Sequence, residues 1–509
     1  MGLNLVTILR EGRRVCPTRT AIHHEDTTID YATLDARSRR LAGALRRLGV
    51  GAGEPVALML PNIPEFVVAY FAGHYAASPI VPLNVTLTVD ELVYHLADSG
   101  AAALIVWEDR LAEARAALER VPGCRRLIVV EREADDLRLD PGLLRMARLC
   151  AEETAVDDAP PTMPDDTAVI LYTSGTTGQP KGAELTHFNL FYNADCFSRS
   201  LMGLDREVAL CSLPLFHSFG QGCVMNATLA TLGTLVLQTR FDARSAIQLI
   251  QRHGVTFFCG VPTMYVAMLW LPGDHDLRGL RYCVSGGAPL PVEVLHAFEA
   301  RTGARILEGY GLSETSPAAS FTVLDGPRKP GSIGVPLRGL EFRLVADDGQ
   351  VIDGADVAGE IWVKGHAVMK GYRGRPDETA AVLSDGWLRT GDIGTRDADG
   401  YYYVVDRKKD MINRGGYKIY PREVEEVLYR HPSIAQAAVF GVPDPVYGEE
   451  VKAVIVREPG APLLEWEVSN HCREALAPYK IPRVVEFVDA LPLGPTGKVL
   501  KRALVDQRP

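Results

Sequence analysis

The sequence predicts an α/β protein with a large amino-terminal domain and a small α+β carboxy-terminal domain. Strand and helix patterns alternate through the first 150 residues, which is typical of a largely parallel sheet covered by helices. The chain has 509 residues, more than one compact core normally organises. The composition changes near Asp406, and about a hundred residues follow with their own helix and strand patterns, enough for a separate domain.

The elements of the first domain can be justified in chain order. Leucines recur at helical spacing before Gly49 and Gly51, which stop the helix. Residues 55–60 form an apolar run typical of a buried strand. Thr88 and Glu91 have capping-box spacing at the start of another helix, and a strand is expected at residues 103–106. The leucines of the first helical face are Leu34, Leu41, Leu45 and Leu48.

Further elements follow an acidic, proline-rich surface connection at residues 151–166. Residues 168–172 predict a short strand that leads directly into a loop rich in Gly, Ser and Thr. In the last part of the chain, we expect a helix at residues 421–430 and strands at residues 437–440 and 451–456. A basic segment ends the sequence.

Composition excludes several classes of function. The net charge of -10 and the pI near 5.7 provide no broad basic surface for nucleic acid or anionic lipid. The nine cysteines are scattered without a C-x-x-C pair, which disfavours a disulfide framework or a zinc site. There is no signal-peptide pattern, and the most apolar stretch, residues 66–77, is too short to span a membrane. We therefore expect a cytoplasmic protein without a transmembrane segment.

The stretch from Tyr172 to His187 reads YTSGTTGQPKGAELTH and has the composition of an anion-binding loop. Glycines let the backbone approach an anion, hydroxyl and amide groups donate to its oxygens, and Lys181 adds a positive charge. Pro180 and Gly182 stand where the Walker pattern requires Gly and Ser or Thr. The stretch therefore predicts a phosphate-binding loop of another type.

Seven motifs in chain order resemble those of the adenylate-forming superfamily, which contains acyl-CoA synthetases, amino-acid adenylation domains and beetle luciferases. The first is TSGTTGQPKG in the loop above. The others are LPLFHSFG at 213–220, SGGAPL at 285–290, EGYGLSET at 308–315, LRTGD at 388–392, DRKKD at 406–410 and PTGK at 495–498.

The resemblance implies both the architecture and the reaction. Residues 1–405 would form layered α/β subdomains and a β-barrel-like subdomain, residues 406–409 a hinge, and residues 410–509 a mobile α+β domain. A carboxylate would attack the α-phosphate of ATP to give an acyl adenylate and pyrophosphate, and the thiol of coenzyme A would then displace AMP. Because two anions meet in the first step, cations must lower its barrier.

By the same resemblance, one group of residues would bind the phosphates. Lys181 would hold the β- and γ-phosphates, and Glu314 would bind Mg²⁺, a hard ion suited to carboxylate and phosphate oxygens. Lys498 would bridge the substrate carboxylate and the α-phosphate, although a terminal lysine by itself would be expected in solvent. The loop residues that assist Lys181 would be Thr173, Ser174, Gly175, Thr176 and Thr177.

The nucleoside and the thiol have their own implied residues. Tyr310 would lie against the adenine, and Asp392, assisted by Arg407, would accept hydrogen bonds from the ribose hydroxyls. After a rotation of the small domain, Gly415 and Gly416 would pass close to the pantetheine arm. Luciferase-type relatives carry a lysine at the position of Asn413, which weakens a luciferase interpretation. Gly287, Ala288, Gly309, Gly311 and Ser313 would complete the nucleotide site.

The acyl pocket would be lined by Phe219, Gly220, Val261, Ser285, Gly286 and Ala318. The segments at residues 219–224, 260–264 and 318–320 contain neither Arg nor Lys, so a second substrate carboxylate would be unpaired. Adenylation domains for amino acids have an aspartate where His217 stands, so an α-amino acid is disfavoured. His217 is expected either to gate the pocket and orient the carboxylate or to be a packed, neutral histidine.

These residues predict an AMP-forming acyl-CoA synthetase that activates an apolar or bulky monocarboxylic acid, for which small residues such as Gly220 leave a long or wide pocket. The alternatives are transfer to an acyl carrier protein, a single half-reaction beside a partner enzyme, and a non-catalytic acyl or nucleotide sensor. A sensor has no need of all five charged residues that the motifs retain, and a homodimer is left open. The five are Lys181, Glu314, Asp392, Arg407 and Lys498.

Overall fold

The computed structural model describes residues 2–132, 142–173, 179–273, 275–324, 326–408, 410–494 and 497–506. Its α-helices are α1 (Val6–Val15), α2 (Tyr31–Arg47), α3 (Pro64–Tyr75), α4 (Val89–Ser99), α5 (Leu111–Arg120), α6 (Met146–Glu152), α7 (His187–Asp195), α8 (Ala227–Ala230), α9 (Ala243–His253), α10 (Pro262–Leu269), α11 (Val292–Thr302), α12 (Pro376–Val382), α13 (Pro421–Tyr429), α14 (Glu465–Ala475) and α15 (Lys501–Asp506). Short 3₁₀ turns occupy Glu108–Arg110, Ser313–Thr315 and Pro478–Lys480, and π-helical turns occupy Cys196–Leu201 and Gly220–Asn226.

The strands are β1 (Thr20–His24), β2 (Thr27–Asp30), β3 (Val56–Met59), β4 (Ile80–Pro82), β5 (Ala103–Trp107), β6 (Arg126–Val130), β7 (Leu144–Arg145), β8 (Thr167–Thr173), β9 (Lys181–Thr186), β10 (Val208–Cys211), β11 (Thr234–Leu237), β12 (Phe257–Gly260), β13 (Tyr282–Ser285), β14 (Arg305–Gly311), β15 (Ala318–Phe321), β16 (Val335–Pro336), β17 (Leu340–Val345), β18 (Val351–Ile352), β19 (Gly359–Gly365), β20 (Gly371–Tyr372), β21 (Leu383–Ser384), β22 (Trp387–Arg396), β23 (Tyr402–Arg407), β24 (Ile412–Arg414), β25 (Tyr417–Ile419), β26 (Ile434–Asp444), β27 (Gly448–Arg457) and β28 (Val484–Val488).

Two large sheets form the framework of the first four hundred residues. Over the described residues, one sheet has eight strands in the order β20-β9-β8-β4-β3-β5-β6-β7, and the other has nine in the order β16-β15-β14-β13-β12-β10-β11-β1-β2. Their central strands pair in parallel, whereas β8 with β9 and β14 with β15 pair in antiparallel fashion. The predicted α/β class is confirmed, with antiparallel pairs at the strands that carry the candidate site.

Two antiparallel sheets follow. Strands β17, β18, β19, β21, β22 and β23 form one of them, between residues 340 and 407, and the barrel-like subdomain stays a prediction. Strands β24 to β28 form a second sheet, on which α13 and α14 pack. The largest apolar core runs from Leu5 to Tyr402, and a distinct core runs from Ile412 to Ile481. A large first part and a small last part therefore have separate interiors, while the exact boundaries and the hinge stay predictions.

Several local expectations are confirmed. The leucine-rich helix is α2, and it ends at Arg47 before the two glycines. Thr88 and Glu91 form both hydrogen bonds of a capping box at the start of α4. The apolar stretch that includes residues 66–77 is largely α3, whose residues from Phe66 onward are all buried. Among the helices of the described ranges, none combines the length and the apolarity needed to cross a bilayer. All nine cysteines are free, and eight of them are buried.

Candidate active site

The phosphate end of the candidate site lies where β8 meets β9. The two strands are antiparallel, and Thr173 is the register partner of Lys181. The Thr173 hydroxyl donates to Oε1 of Glu314 at 3.2 Å. The loop residues predicted to assist Lys181 lie, apart from Thr173, outside the described residues; they are Ser174, Gly175, Thr176 and Thr177. The pairing of β8 with β9 therefore brings three of the predicted phosphate-site residues together.

Tyr372 joins this group, although the sequence reasoning did not single it out. Its hydroxyl donates to Oε1 of Glu314 at 2.9 Å, and the Lys181 ammonium nitrogen lies 5.3 Å from the centroid of its ring. Burial, followed by the charge of Glu314, raises the pKa of Tyr372, so the phenol keeps its proton. Tyr372 reaches this position because β20 pairs with β9, where Tyr372 faces Ala183. Its only sequence signal is a Gly-Tyr pair that matches none of the seven motifs.

The ribose end is built from strands of two sheets. Asp392 on β22 and Arg407 on β23 are register partners, and Arg407 Nε lies 3.2 Å from Asp392 Oδ1. Tyr310, at the end of β14, donates its hydroxyl to the other carboxylate oxygen at 2.7 Å. Asp392 is 4% exposed. Burial raises the pKa of this carboxyl, and the charge of Arg407 and the hydrogen bond from Tyr310 oppose that shift. These three predicted residues form one connected unit.

Lys498 belongs to the same site despite its position near the end of the sequence. A Cβ atom added to Gly287 would lie 3.0 Å from Lys498 Cε, so the lysine stem passes directly over this glycine. The Thr263 hydroxyl donates to the Gly497 carbonyl at 2.8 Å and fixes the preceding residue. Burial and the charge of Arg407 lower the pKa of Lys498 to about 8, while Asp392 acts in the opposite direction.

His217 is half-buried beside this lysine. Its Nδ1 accepts a hydrogen bond from the Phe219 amide at 3.2 Å. Burial, followed by the positive charge of Lys498, lowers the pKa of His217 to about 3. The ring is therefore neutral near pH 7, and because Nδ1 is an acceptor, its proton lies on Nε2. His217 presents an N–H donor rather than a charge.

The predicted pocket residues converge through close packing. An added Cβ on Gly286 would lie 3.2 Å from the Phe219 ring, and Asn193 Nδ2 donates to the Ala318 carbonyl at 2.7 Å. Val261 and Ser285 are buried. A Cβ on Gly220 would lie 2.4 Å from the Pro214 carbonyl oxygen. The small size of Gly220 is therefore required by its own backbone contact, and its effect on the width of the pocket stays a prediction.

The other predicted nucleotide-site residues lie on or beside the same strands. Gly309 and Gly311 are in β14 and pair with β15. The hydroxyl oxygen of Ser313 lies 3.5 Å from that of Ser218, and Ala288 is exposed beside Gly287.

The predicted pantetheine loop is held in the carboxy-terminal sheet. Gly415 and Gly416, with φ values of 58° and 90°, form the turn between β24 and β25. Their amides donate to the Tyr447 carbonyl at 2.8 Å and to Asn413 Oδ1 at 3.1 Å. Lys498, also in the carboxy-terminal part of the chain, lies within electrostatic reach of Asp392 and Arg407.

Comparisons with known proteins identify the family of the chain. Residues 9–373 match the AMP-binding enzyme family, and residues 423–498 match the AMP-binding enzyme C-terminal domain. A feruloyl-CoA synthase of Amycolatopsis sp is 42% identical over 96% of this chain and 96% of its own length. A long-chain-fatty-acid–CoA ligase of Bacillus subtilis (strain 168) is 36% identical over 99% of this chain and 94% of its own.

The fold is also that of solved enzymes. The structure of ATP-bound MatB from Rhodopseudomonas palustris superposes with a TM-score of 0.91 at 32% identity and covers 99% of both chains. One conclusion follows from the two matching family models, the CoA-ligase relatives and the shared fold. The chain belongs to the AMP-binding enzyme family of the adenylate-forming superfamily and is an AMP-forming acyl-CoA synthetase.

Proposed function

We propose that this acyl-CoA synthetase activates an apolar or bulky monocarboxylic acid, and that both half-reactions run in the site described above. The observation that carries the proposal is the position of Lys498. It lies over Gly287, within the electrostatic reach of Asp392, Arg407 and neutral His217. A cation at this point lies between the nucleoside end and the acyl pocket, where a carboxylate and an α-phosphate would meet.

In the adenylation step, a carboxylate oxygen forms a bond to the α-phosphorus of ATP, and the bond from that phosphorus to the bridging oxygen breaks with its electron pair leaving on pyrophosphate. Lys498 offsets the repulsion between the two anions. Lys181 and Thr173 hold the departing pyrophosphate, and Asp392 with Tyr310 orients the ribose. His217 donates its Nε2 proton in a hydrogen bond to the substrate carboxylate.

The residues around Glu314 fit a magnesium ion bound together with ATP. The hydrogen bonds from Thr173 and Tyr372 both end on Oε1, which leaves Oε2 to face a cation. The described residues contain no cluster of three or more His, Cys, Asp or Glu side chains that would hold a metal alone. Mg²⁺ usually keeps several waters and binds through one or two carboxylates and substrate phosphates, which suits a single Glu314. When bound, it would neutralise phosphate charge.

In the second step, the sulfur of coenzyme A bonds to the acyl carbon and its proton passes to solvent, while the carbon–oxygen bond to AMP breaks and AMP leaves with that electron pair on its phosphate. The turn that contains Gly415 and Gly416 replaces the Lys498 segment for this step. The two CoA-ligase relatives favour coenzyme A over a carrier protein as the acceptor.

The proposed class of substrate acid follows from the lack of positively charged residues in the predicted pocket segments. The pocket segments contain no Arg or Lys, so a second carboxylate would be buried without a partner. The two relatives described above are named for a feruloyl group and for a long-chain fatty acid, and these two names favour a largely apolar monocarboxylic acid. The greater identity of the feruloyl-CoA synthase favours the aromatic acid.

The test is pyrophosphate exchange with ferulate, with a long-chain fatty acid and with a dicarboxylate of similar length. Thioester formation is measured in parallel with coenzyme A and with a pantetheinylated carrier protein. We expect exchange with a monocarboxylate and a CoA thioester. Preference for the dicarboxylate would contradict the acid class, and a product only on the carrier protein would contradict the acceptor.

A further inference from the structure

Helix α4 contacts both strand ends of the phosphate site. The hydroxyl of Tyr94 donates to the Pro180 carbonyl at 2.6 Å, one residue before Lys181. The hydroxyl of Tyr172, one residue before Thr173, donates to Asp98 Oδ2 at 2.8 Å. One helix thus contacts the residue before Thr173 and the residue before Lys181, two positions that are register partners in the β8–β9 pair.

Asp98 extends this connection to a third segment. Its second oxygen, Oδ1, accepts a hydrogen bond from Arg375 at 2.8 Å. Arg375 lies three residues after Tyr372, which donates to Glu314. The Asp98 side chain is only 14% exposed, and a carboxylate shared by a phenol and a guanidinium forms strong, directional hydrogen bonds.

The helix itself is well fixed. The capping box of Thr88 and Glu91 closes its first turn, and Gly100 ends it in a left-handed conformation with φ of 67°. The ring of His95 packs edge-on against Tyr172 with a centroid distance of 4.5 Å. Burial raises the pKa of Tyr172, so it remains a hydrogen-bond donor to Asp98. A rigid helix with two anchor points can fix the separation of the strand ends.

We infer that Tyr94 and Asp98 are positioning residues for ATP: they touch no reacting atom, but they hold Thr173 and Lys181 at the spacing that the departing pyrophosphate needs. The inference rests on the phosphate role proposed above for Lys181. Displacements of about 1 Å in a supporting contact are enough to reduce catalysis strongly. Pyrophosphate has left before the thiol attacks, so the thiolation step should not depend on this contact.

The test compares Asp98→Asn and Tyr94→Phe with two control variants. Asp90 is also on α4, and Asp90→Asn breaks its 2.6 Å ion pair with Arg120 of α5. Tyr75→Phe removes a tyrosine–aspartate hydrogen bond to Asp35 elsewhere. We expect Asp98→Asn to raise the KM for ATP in pyrophosphate exchange about tenfold, as loss of a hydrogen bond to a charged group would, and Tyr94→Phe, which loses a bond to a neutral carbonyl, to raise it about fivefold. The controls, and the KM for the acid, should stay within about twofold.

The second measurement, made on the same variants, is thioester formation from supplied acyl adenylate. Substitutions of Arg375 then test whether its charge is needed. Arg375→Gln should resemble Asp98→Asn, whereas Arg375→Lys should recover part of the ATP affinity because the charge is kept. An ATP-specific defect with intact thiolation supports the inference. Equal loss of both half-reactions, or an unchanged KM for ATP, overturns it.

Lys181→Ala tests the phosphate role of Lys181 separately from the positioning role of Tyr94 and Asp98. If that variant raises the KM for ATP while Asp98→Asn and Tyr94→Phe do not, the positioning role is wrong and the phosphate role stands. If Lys181→Ala leaves the KM for ATP unchanged, the phosphate role itself is wrong, and the positioning role is overturned with it.

Discussion

The ribose end and the Lys498 segment lie in one site but are held in different ways. Asp392 is fixed by strand pairing with Arg407 and by a hydrogen bond from Tyr310. Lys498 follows the second apolar core in the sequence, and the hydrogen bond from Thr263 to Gly497 joins its segment to the first. The residues proposed for the nucleoside are thus held within the first part of the chain, whereas the cation proposed as the bridge belongs to the carboxy-terminal part. Substitutions in the two regions should therefore affect different half-reactions.

The largest expected effect is that of Lys498→Ala on adenylation. Removal of a buried cation at the reacting phosphate should lower pyrophosphate exchange by roughly a hundredfold or more. Thioester formation from supplied acyl adenylate should be nearly unchanged, because Lys498 is proposed to act earlier, when the carboxylate attacks the α-phosphate. Equal loss in the two assays would contradict the separation of the two regions.

Asp392→Ala should act on both half-reactions. It leaves Tyr310 and Arg407 without their shared carboxylate and removes the acceptor proposed for the ribose. We expect the KM for ATP and the KM for the acyl adenylate each to rise by about tenfold to a hundredfold. A variant impaired only in adenylation would show that this residue behaves like Lys498. Isothermal titration with AMP gives an independent measure of the nucleoside contact.

The lowered pKa of Lys498 predicts a pH dependence of adenylation alone. The ammonium form exists below about pH 8, and the bridge needs that charge, so kcat/KM for exchange should fall as the pH rises through 8 by about tenfold per unit. The rate of thiolation should not show this decline above pH 8. Lys498→Arg, which stays charged, should flatten the decline even if its overall rate is lower; a decline that persists in this variant would assign it to another group.

Thr263→Val should produce the smallest of these effects. It removes the donor to the Gly497 carbonyl while keeping the side-chain shape, which costs about 1 kcal/mol, or about fivefold in exchange rate. Thr228→Val is the matched control, since its buried hydroxyl makes no hydrogen bond among the described residues. If both variants behave alike, the contact does not hold the lysine in place.

The fold was predictable where local patterns decide it. The capping box of α4 and the alternation of strands and helices both depend on residues close in sequence. The sequence did not reveal the antiparallel partner strands β9, β15 and β20. Tyr372 was missed for this reason, because only the pairing of β20 with β9 brings it to Glu314.

The candidate site shows the same division. The motifs identified Lys181, Asp392 and Lys498 as candidate site residues, because the motifs are defined by residue type and order along the sequence. The sequence did not show that Gly220 lies against the Pro214 carbonyl, a contact that leaves no room for a Cβ atom. The lowered pKa of Lys498 could not be predicted from the sequence either. It depends on burial and on the charge of Arg407, which lies far earlier in the chain.

The sequence by itself determined the superfamily, the class of reaction and the set of charged residues, because these depend on residue identity and order. Only the tertiary structure decided which of them meet, how strongly burial shifts their protonation, and which neighbours hold them. Strand register brings Thr173 to Lys181, and the packing of α4 brings Asp98 to Tyr172 and Tyr94 to Pro180. Distances between residues far apart in sequence are set by the whole chain at once, and that is the physical reason for the division.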